Sequence, residues 1–397
     1  MPGKDYRDMV VATDAETAAE FLQTWFGSLP EGSGADGKRV VSLFSLPSRA
    51  ARHFPLTDLL ERIEDGWLDE AVYPTNGGPV QNVYHTNALF GTIPERGRGR
   101  VNDISIAPGF WLDIDVKDGA FGSQDEIRNF AWGPMTDAGL KPSILVNSGT
   151  GCHAYWLTED PLDADEMREL GERVWMWTEK ASGHKLDNLS DPARVFRLPG
   201  TVWFGKGEGG VLSARPVTTQ WCKGTRISKT RVREITGNAW DEYETERKRI
   251  RAERRRADKQ ALKRWEPQML GLPGSWAYRA ALEAARQVFP ARITWAQILE
   301  PAGWTQYGHP DDEGHVMWTR PHAEGEKVNP RSLVVDWDES PNVASLLSDS
   351  EKTGLSRLVK AGIPLTKLEV FAELYYGGSK TAALLDFIAV EQEGGEA

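Results

Sequence analysis

The stretch that most constrains the fold runs from Pro108 to Val116, with the sequence Pro-Gly-Phe-Trp-Leu-Asp-Ile-Asp-Val. Aromatic and β-branched residues after a Pro-Gly breaker predict a short β-strand. Because side chains alternate along a strand, Trp111, Asp113 and Asp115 share one face, and Leu112, Ile114 and Val116 share the other. Paired carboxylates suit a divalent cation such as Mg²⁺ or Mn²⁺, which prefers oxygen ligands. The same pattern also fits an edge strand with a solvated acidic face.

Composition limits the classes of protein that the chain can be. Its 397 residues have room for two or three domains. Two cysteines, Cys152 and Cys222, exclude a Cys-rich zinc site and a disulfide framework, and fit a reducing cytoplasm. Without a signal-peptide pattern or a long apolar run, we expect a cytoplasmic protein with no membrane partner. The net charge of −11 argues against non-specific nucleic-acid binding, but the charge is unevenly distributed.

Helical and strand patterns alternate around the acidic strand, which predicts an α+β protein. Apolar spacing predicts helices over residues 14–28, 56–68, 125–138 and 162–181. Short apolar runs predict strands over residues 39–46, 82–89 and 143–147. Between the predicted strands at 82–89 and 108–116 lies Arg-Gly-Arg-Gly-Arg at 96–100, which is either a solvated loop or a basic loop that meets phosphates.

A small-residue turn follows the strand at 143–147, and it reads Ser148-Gly149-Thr150-Gly151-Cys152-His153. Glycines allow backbone N–H groups to approach a ligand closely. His153 opens the next predicted strand directly after this turn. A lone strand histidine is usually structural, but this position makes His153 a candidate contact for a triphosphate or a metal.

A third polar cluster lies between residues 186 and 201. Asp187 follows an apolar residue and can supply a third carboxylate, whereas Asp191 can cap the turn at Pro192. Either acid can be the third ligand. Arg194 and Arg197 carry planar donors suited to phosphate, although each can equally form a structural salt bridge.

In this order, the three clusters resemble the motifs of the archaeo-eukaryotic primase superfamily, in its primase-polymerase branch found in phages and plasmids. The resemblance covers residues 10–210. Phe110–Asp115 looks like the first motif, Ser148–His153 like the second, and Leu186-Asp187 like the third. An Arg-Val-x-Arg-Leu-Pro-Gly-Thr signature follows at 194–201, and Trp203 stands where members often carry Asn. The resemblance implies a catalytic core with an RRM-like αβ unit around a mixed or antiparallel sheet.

The resemblance also implies template-dependent nucleotidyl transfer that makes or extends primers. Two Mg²⁺ or Mn²⁺ ions would be held by the three acids, and the triphosphate would be contacted by His153, the glycine turn and two arginines. The implied site residues are Asp113, Asp115, Asp187, His153, Ser148, Gly149, Thr150, Gly151, Arg194 and Arg197. Implied partners are single-stranded DNA template, primer and dNTP or NTP. A separate replicative helicase is expected, because the chain has no Gly-x-x-x-x-Gly-Lys-Ser/Thr sequence.

Two other functional classes compete with this interpretation. A replication-initiator nuclease also combines metal, histidine and carboxylates, but it needs a His-x-His pair that this chain lacks. A non-catalytic nucleic-acid-binding subunit of a replisome would carry a degenerate site, which the intact acids oppose.

Beyond residue 210 the chain changes character. Residues 245–264 contain ten Lys or Arg and three Asp or Glu, a local excess of +7. This composition predicts an exposed basic helix, either a plain linker or an arm that contacts template backbone. We therefore predict a catalytic domain at 1–215, a basic helical linker at 216–268 and a small α+β accessory domain at 269–397. The last domain is predicted to contain helices at 277–288, 294–299, 355–361 and 365–389, and strands at 316–321 and 332–337.

Overall fold

The computed structural model divides the chain into two compact units, residues 1–241 and 242–397. The predicted domain boundaries at 215 and 268 stay predictions, and the division at 241 falls inside the segment predicted as a linker. The side chains of residues 264, 265, 275–278 and 391–394 are not described. The structure describes residue 6 and residues 9–94, 97–117, 120–186, 191–206, 211–265, 275–310, 315–326, 328–335, 342–347 and 353–394.

The first unit alternates helices with short strands. Its helices are α1 Ala15–Trp25, α2 Leu56–Glu64, α3 Trp67–Val72, α4 Gln124–Phe130, α5 Ala164–Ser182 and the start of α6 Lys229–Trp265. Its strands are β1 Val40–Leu46, β2 Ala51–Pro55, β3 Asn82–Thr86, β4 Leu89–Phe90, β5 Ile104–Asp115, β6 Ile144–Asn147, β7 Gly151–Leu162, β8 Val195–Arg197, β9 Val202–Lys206, β10 Leu212–Pro216, β11 Thr218–Cys222 and β12 Arg226–Ile227. Shorter 3₁₀ and π-helical segments are Phe26–Ser28, Ala35–Gly37, Val101–Asp103 and Ala131–Met135.

The strands of this unit form two main sheets. One has the order β2-β1-β3-β8 and the other the order β11-β6-β7-β5-β4, with β9 and β10 as a separate pair. The pairing is antiparallel except where β12 lies parallel to β7. With helices at 45% and strands at 25% of the structure, the predicted α+β class is confirmed. The RRM-like unit stays a prediction.

Two predicted elements of this unit are wrong in their extent. The helix predicted over 56–68 is two helices, because Gly66 adopts a left-handed conformation (φ 83°) between α2 and α3. The strand predicted over 82–89 is divided because β3 and β4 belong to different sheets. The chain changes sheet at Asn87, whose carbonyl accepts a hydrogen bond from the indole of Trp25 at 3.2 Å. Apolar periodicity is continuous across both breaks, so only the backbone conformation and the sheet pairing reveal them.

The acidic strand is longer than predicted. β5 begins at Ile104, and its acidic half pairs with β7. Leu112 and Ile114 are buried in the core, which confirms the predicted apolar face. Helix α5 packs along the strand, since a Cβ added at Gly171 would lie 3.6 Å from the carbonyl oxygen of Trp111. The strand therefore places its carboxylates at the boundary of a well-packed core.

The second unit has its own antiparallel sheet, of order β13-β14-β15-β16-β17. The predicted helix over 365–389 is wrong, because Gly377 and Gly378 adopt positive φ (56° and 86°) and separate two helices. None of the described helices is both long enough and apolar enough to cross a bilayer. The strands are β13 Thr305–Tyr307, β14 Val316–Thr319, β15 Leu333–Val335, β16 Val343–Leu346 and β17 Leu365–Thr366, and the helices after α6 are α7 Ser275–Arg292, α8 Trp295–Leu299, α9 Ser356–Lys360, α10 Lys367–Tyr376 and α11 Lys380–Gly394.

Candidate metal and nucleotide site

Asp113 and His153 are direct cross-strand neighbours. The register of β5 and β7 sets Asp113 opposite His153 and Asp115 opposite Gly151. The His153 Nε2 atom lies 3.7 Å from Asp113 Oδ1, and the Asp113 side chain is only 10% exposed. Cross-strand neighbours share a face, so this pair lies on the face that sequence alternation assigned to the carboxylates. Asp113 therefore does not lie on a solvated acidic face, which was the alternative interpretation of this strand.

Arg194 reaches the same carboxylate from a distant part of the chain. Its guanidinium Nη2 lies 3.5 Å from Asp113 Oδ2. The turn before β8 positions it, because Asp191 Oδ1 accepts from the Ala193 N–H at 3.0 Å, and the Asn87 amide donates to the Arg194 carbonyl at 3.0 Å. The predicted capping role of Asp191 is thereby confirmed. The arginine compensates a carboxylate that is costly to bury alone.

His153 is a neutral imidazole at neutral pH. It is 3% exposed, and its ring stacks on Phe196 with centroids 4.2 Å apart. Burial lowers the pKa of His153 well below its usual value, and the positive charge of Arg197 lowers it further. Within the described part of the chain, its Nδ1 atom is buried without a hydrogen-bond partner. Such a nitrogen is rare in a folded protein and marks the position as unusual.

A separate buried polar chain begins at Tyr155, which follows His153 on the same face of β7. The Tyr155 hydroxyl donates to His85 Nε2 at 3.3 Å, and His85 Nδ1 donates to the Thr86 carbonyl at 2.9 Å. A carbonyl only accepts, so this geometry fixes the tautomer of His85. Burial lowers the pKa of His85 to about 4, and burial together with the Asp113 charge raises the pKa of Tyr155 well above its usual value. No sequence pattern had identified His85.

N–H groups of the glycine turn donate to acceptors within the turn or directly before it. The Gly149 N–H donates to Asn147 Oδ1 at 2.9 Å, and the Gly151 N–H donates to Ser148 Oγ at 3.2 Å. The Ser148 N–H donates to the Gly151 carbonyl at 3.0 Å. Thr150, which is half-buried, is the turn residue with a side chain still accessible to a ligand. The turn is thus held in shape from within.

Residues outside the turn anchor it to the rest of the unit. Asn147 and Gln124 exchange two amide hydrogen bonds of 2.7 and 2.8 Å. Arg197 donates to the Ser148 carbonyl at 3.2 Å, and Arg215 donates to the Gly149 carbonyl at 2.9 Å. Arg197 was predicted as a phosphate contact, and the structure places it against the turn. Sequence analysis missed Gln124, Asn147 and Arg215, because none of them lies in a recognisable motif.

Close packing explains both glycines of the turn. Gly149 has φ 91°, and a Cβ there would lie 2.8 Å from the Cβ of Trp203. A Cβ on Gly151 would lie 2.3 Å from the Ile114 carbonyl oxygen. Arg215 also lies over the Trp203 ring, 5.3 Å from its centroid. Trp203, where the resembled family often has Asn, therefore serves as a wall for the turn.

The structure brings together most of the predicted site. Asp113, His153 and Arg194 are in one cluster, and Asp115 follows on the same face of β5. Asp187 and Arg96 lie outside the described residues. Within the described residues, no group of three or more His, Cys, Asp or Glu side chains is arranged to hold a metal. Two carboxylates on one face fit the mode in which Mg²⁺ uses one or two protein carboxylates together with substrate phosphates.

Comparisons with known proteins add three weakly similar structures. The AEP domain of the cyanophage S-2L primase-polymerase is 18% identical with a TM-score of 0.36, covering 57% of this chain and all of that one. The primase RepB' is 13% identical with a TM-score of 0.39, covering 71% and 85%. Its catalytic domain in complex with initiator DNA is 12% identical with a TM-score of 0.33, covering 58% and 97%. No family model and no curated protein matches. At these scores the functional argument rests on the site itself.

Proposed function

We propose that the first unit catalyses metal-dependent, template-directed nucleotidyl transfer, making or extending primers from nucleoside triphosphates. One observation carries the proposal. Asp113 is nearly buried, and its two carboxylate oxygens are approached by His153 and by Arg194. The three residues come from three segments of the chain, each about 40 residues after the one before. These are the same three segments whose motifs resemble the primase-polymerase family. Structural packing alone would be served more simply by apolar side chains at these positions.

The acidic residues are assigned to the metals. Asp113 and Asp115, with Asp187 as the third ligand, would hold Mg²⁺ or Mn²⁺, which when bound neutralises charge on the attacking and leaving oxygens. In the proposed reaction, a hydroxyl oxygen forms a bond to the α-phosphorus of the triphosphate. The bond to pyrophosphate breaks, and the hydroxyl proton passes to water.

Other residues are assigned to binding and positioning. Arg194 is 37% exposed and can reach a phosphate while it contacts Asp113. Thr150 is the second direct triphosphate contact in this proposal. Ser148, Gly149, Gly151 and Arg197 maintain the shape of the turn through the hydrogen bonds described above. His153 packs beside Asp113 as an uncharged ring, so it fixes the carboxylate without neutralising it.

The proposal is tested by primer extension on single-stranded template with dNTP or NTP and Mg²⁺ or Mn²⁺. Asp113→Asn keeps the shape of the side chain but removes the charge. We expect incorporation to fall by about 10²-fold to 10³-fold, as for the loss of one electrostatic stabiliser. Asp160→Asn is the matched control, because Asp160 is exposed on the far end of β7. Thermal unfolding of both variants verifies that they are folded.

The competing classes give different results in the same assay. Full extension by folded Asp113→Asn would refute the assignment. Cleavage of single-stranded DNA without nucleotides would indicate a nuclease. Template binding by the wild type with no incorporation under any metal would indicate a non-catalytic replisome subunit.

A further inference from the structure

The described cations of the basic segment of α6 fall into two groups: those that contact other residues of the second unit, and those that are exposed to solvent. Four of the ten cations at 245–264 are used inside the second unit. Arg254 is 5% exposed and pairs with Glu369 and Glu373. Arg251 donates to the Ala361 carbonyl at 3.1 Å. The other two are Arg247, 3.0 Å from Glu244, and Arg249, 2.6 Å from both Glu246 and Glu253.

The three acidic residues of the segment also form ion pairs or hydrogen bonds within the second unit. Glu246 pairs with Arg249, and Glu253 pairs with Arg249 and with Arg357 at 2.5 Å. Asp258 Oδ1 accepts from the Ser379 hydroxyl at 3.0 Å and the Thr381 N–H at 2.9 Å, at the start of α11. The three acidic residues of the segment therefore have partners other than Lys248, Arg255, Arg256, Lys259 and Lys263.

Six cations remain, and the side chain of one of them, Arg264, is not described. The other five form what we call the basic stripe: Lys248, Arg255, Arg256, Lys259 and Lys263. All five are exposed, and none has an ion-pair partner among the residues that the structure describes. At 100° per residue they fall within an arc of about 100° along roughly 22 Å of helix. The opposite side of the helix carries the buried residues Tyr243, Ile250, Arg254 and Ala261.

We propose that the basic stripe is a binding surface for the phosphate backbone of a nucleic acid. A row of unpaired cations at helical spacing contacts phosphates without reading bases. The exposed residues between the cations are small or polar, such as Ala252 and Gln260. A membrane-binding helix would need an apolar face here, and a protein interface would need aromatic anchors.

The proposal does not rest on nucleotidyl transfer in the first unit. The salt dependence of DNA binding is measured without nucleotide and without metal, so its result does not depend on whether primer extension occurs. Failure of primer extension and failure of stripe binding are thus separate results.

The test uses the full-length protein and a labelled oligothymidine across a salt series. The stripe variant carries Arg255→Gln, Lys259→Gln and Lys263→Gln, because Gln preserves helix propensity. The control variant carries Arg279→Gln, Arg286→Gln and Arg292→Gln, three exposed arginines on α7 with the same change in net charge. Circular dichroism checks that both variants stay helical.

We expect the slope of log K against log salt to become shallower by about 2 in the stripe variant, or roughly 0.7 per lost contact, and to be unchanged in the control. Random-sequence oligonucleotides should give the same change. An unchanged slope in the stripe variant, or an equal change in the control, would overturn the proposal. Loss of binding to vesicles of anionic phospholipid with unchanged DNA binding would assign the stripe to a membrane instead.

Discussion

The carboxylate cluster of the first unit and the basic stripe of the second use charge in opposite ways. Asp113 is 10% exposed and has two defined neighbours, so its effect depends on geometry. The stripe residues are exposed and unpaired among the described residues, so their effect depends on number and on ionic strength. Whether a charged residue acts through its geometry or through ionic strength therefore depends on its burial, and not on the number of charges around it.

The largest expected difference lies between two adjacent arginines. Arg254→Met would remove the buried guanidinium that pairs with both Glu369 and Glu373, leaving them only Lys380 and a 3.5 Å contact with Arg357. We expect a loss of about 3 kcal/mol in the free energy of unfolding. Arg255→Met changes an exposed stripe residue and should cost within about 0.5 kcal/mol. Chemical denaturation of both variants measures this. Equal losses would show that burial does not separate the two groups of cations.

The pH dependence of stability tests the same contrast between buried and exposed groups, because it depends on the burial of His85. His85 has a pKa of about 4 in the folded state, below the usual value near 6.5. The unfolded chain therefore binds a proton that the folded chain rejects, and stability is full above pH 6.5 and falls as pH drops toward 4. The total for His85 is roughly 3 kcal/mol, of which about 2 kcal/mol is lost between pH 6.5 and 5.

His85→Gln tests this prediction through the pH slope and not through stability at one pH. The slope between pH 6.5 and 5 should flatten by the share of one proton, because His153 retains its own contribution. His309→Gln, at an exposed position of the second unit, is the control for the substitution of a histidine. A wild-type slope in the His85 variant would mean that His85 binds its proton equally in the folded and the unfolded chain.

The smallest expected effect comes from one added methyl group. Gly149→Ala forces a non-glycine residue to φ 91° and places a Cβ 2.8 Å from Trp203. We expect a loss of about 1–2 kcal/mol and a raised KM for the triphosphate. Ala252→Gln, between the cations of the stripe, adds more atoms at an exposed helix position and should be neutral. A neutral Gly149→Ala would indicate that the turn can relax away from Trp203.

Local pattern was sufficient for parts of this molecule. The alternation around Asp113, the capped helix after Asp14 and the cap at Asp191 follow from residue types within a few positions of each other. The breaks at Gly66 and Gly377 were missed because a glycine within an apolar pattern can continue a helix or end it. Asn87 and Arg215 were missed because their partners lie far away in the chain.

Periodicity and composition along the chain were enough to predict the α+β class, the apolar and acidic faces of β5 and the excess of basic residues in α6. Tertiary structure decided that Asp113 contacts His153 and Arg194, and that Arg254 is buried while Arg255 is exposed. Pairing across strands and between distant segments sets which charges lose water, and no local pattern encodes that choice.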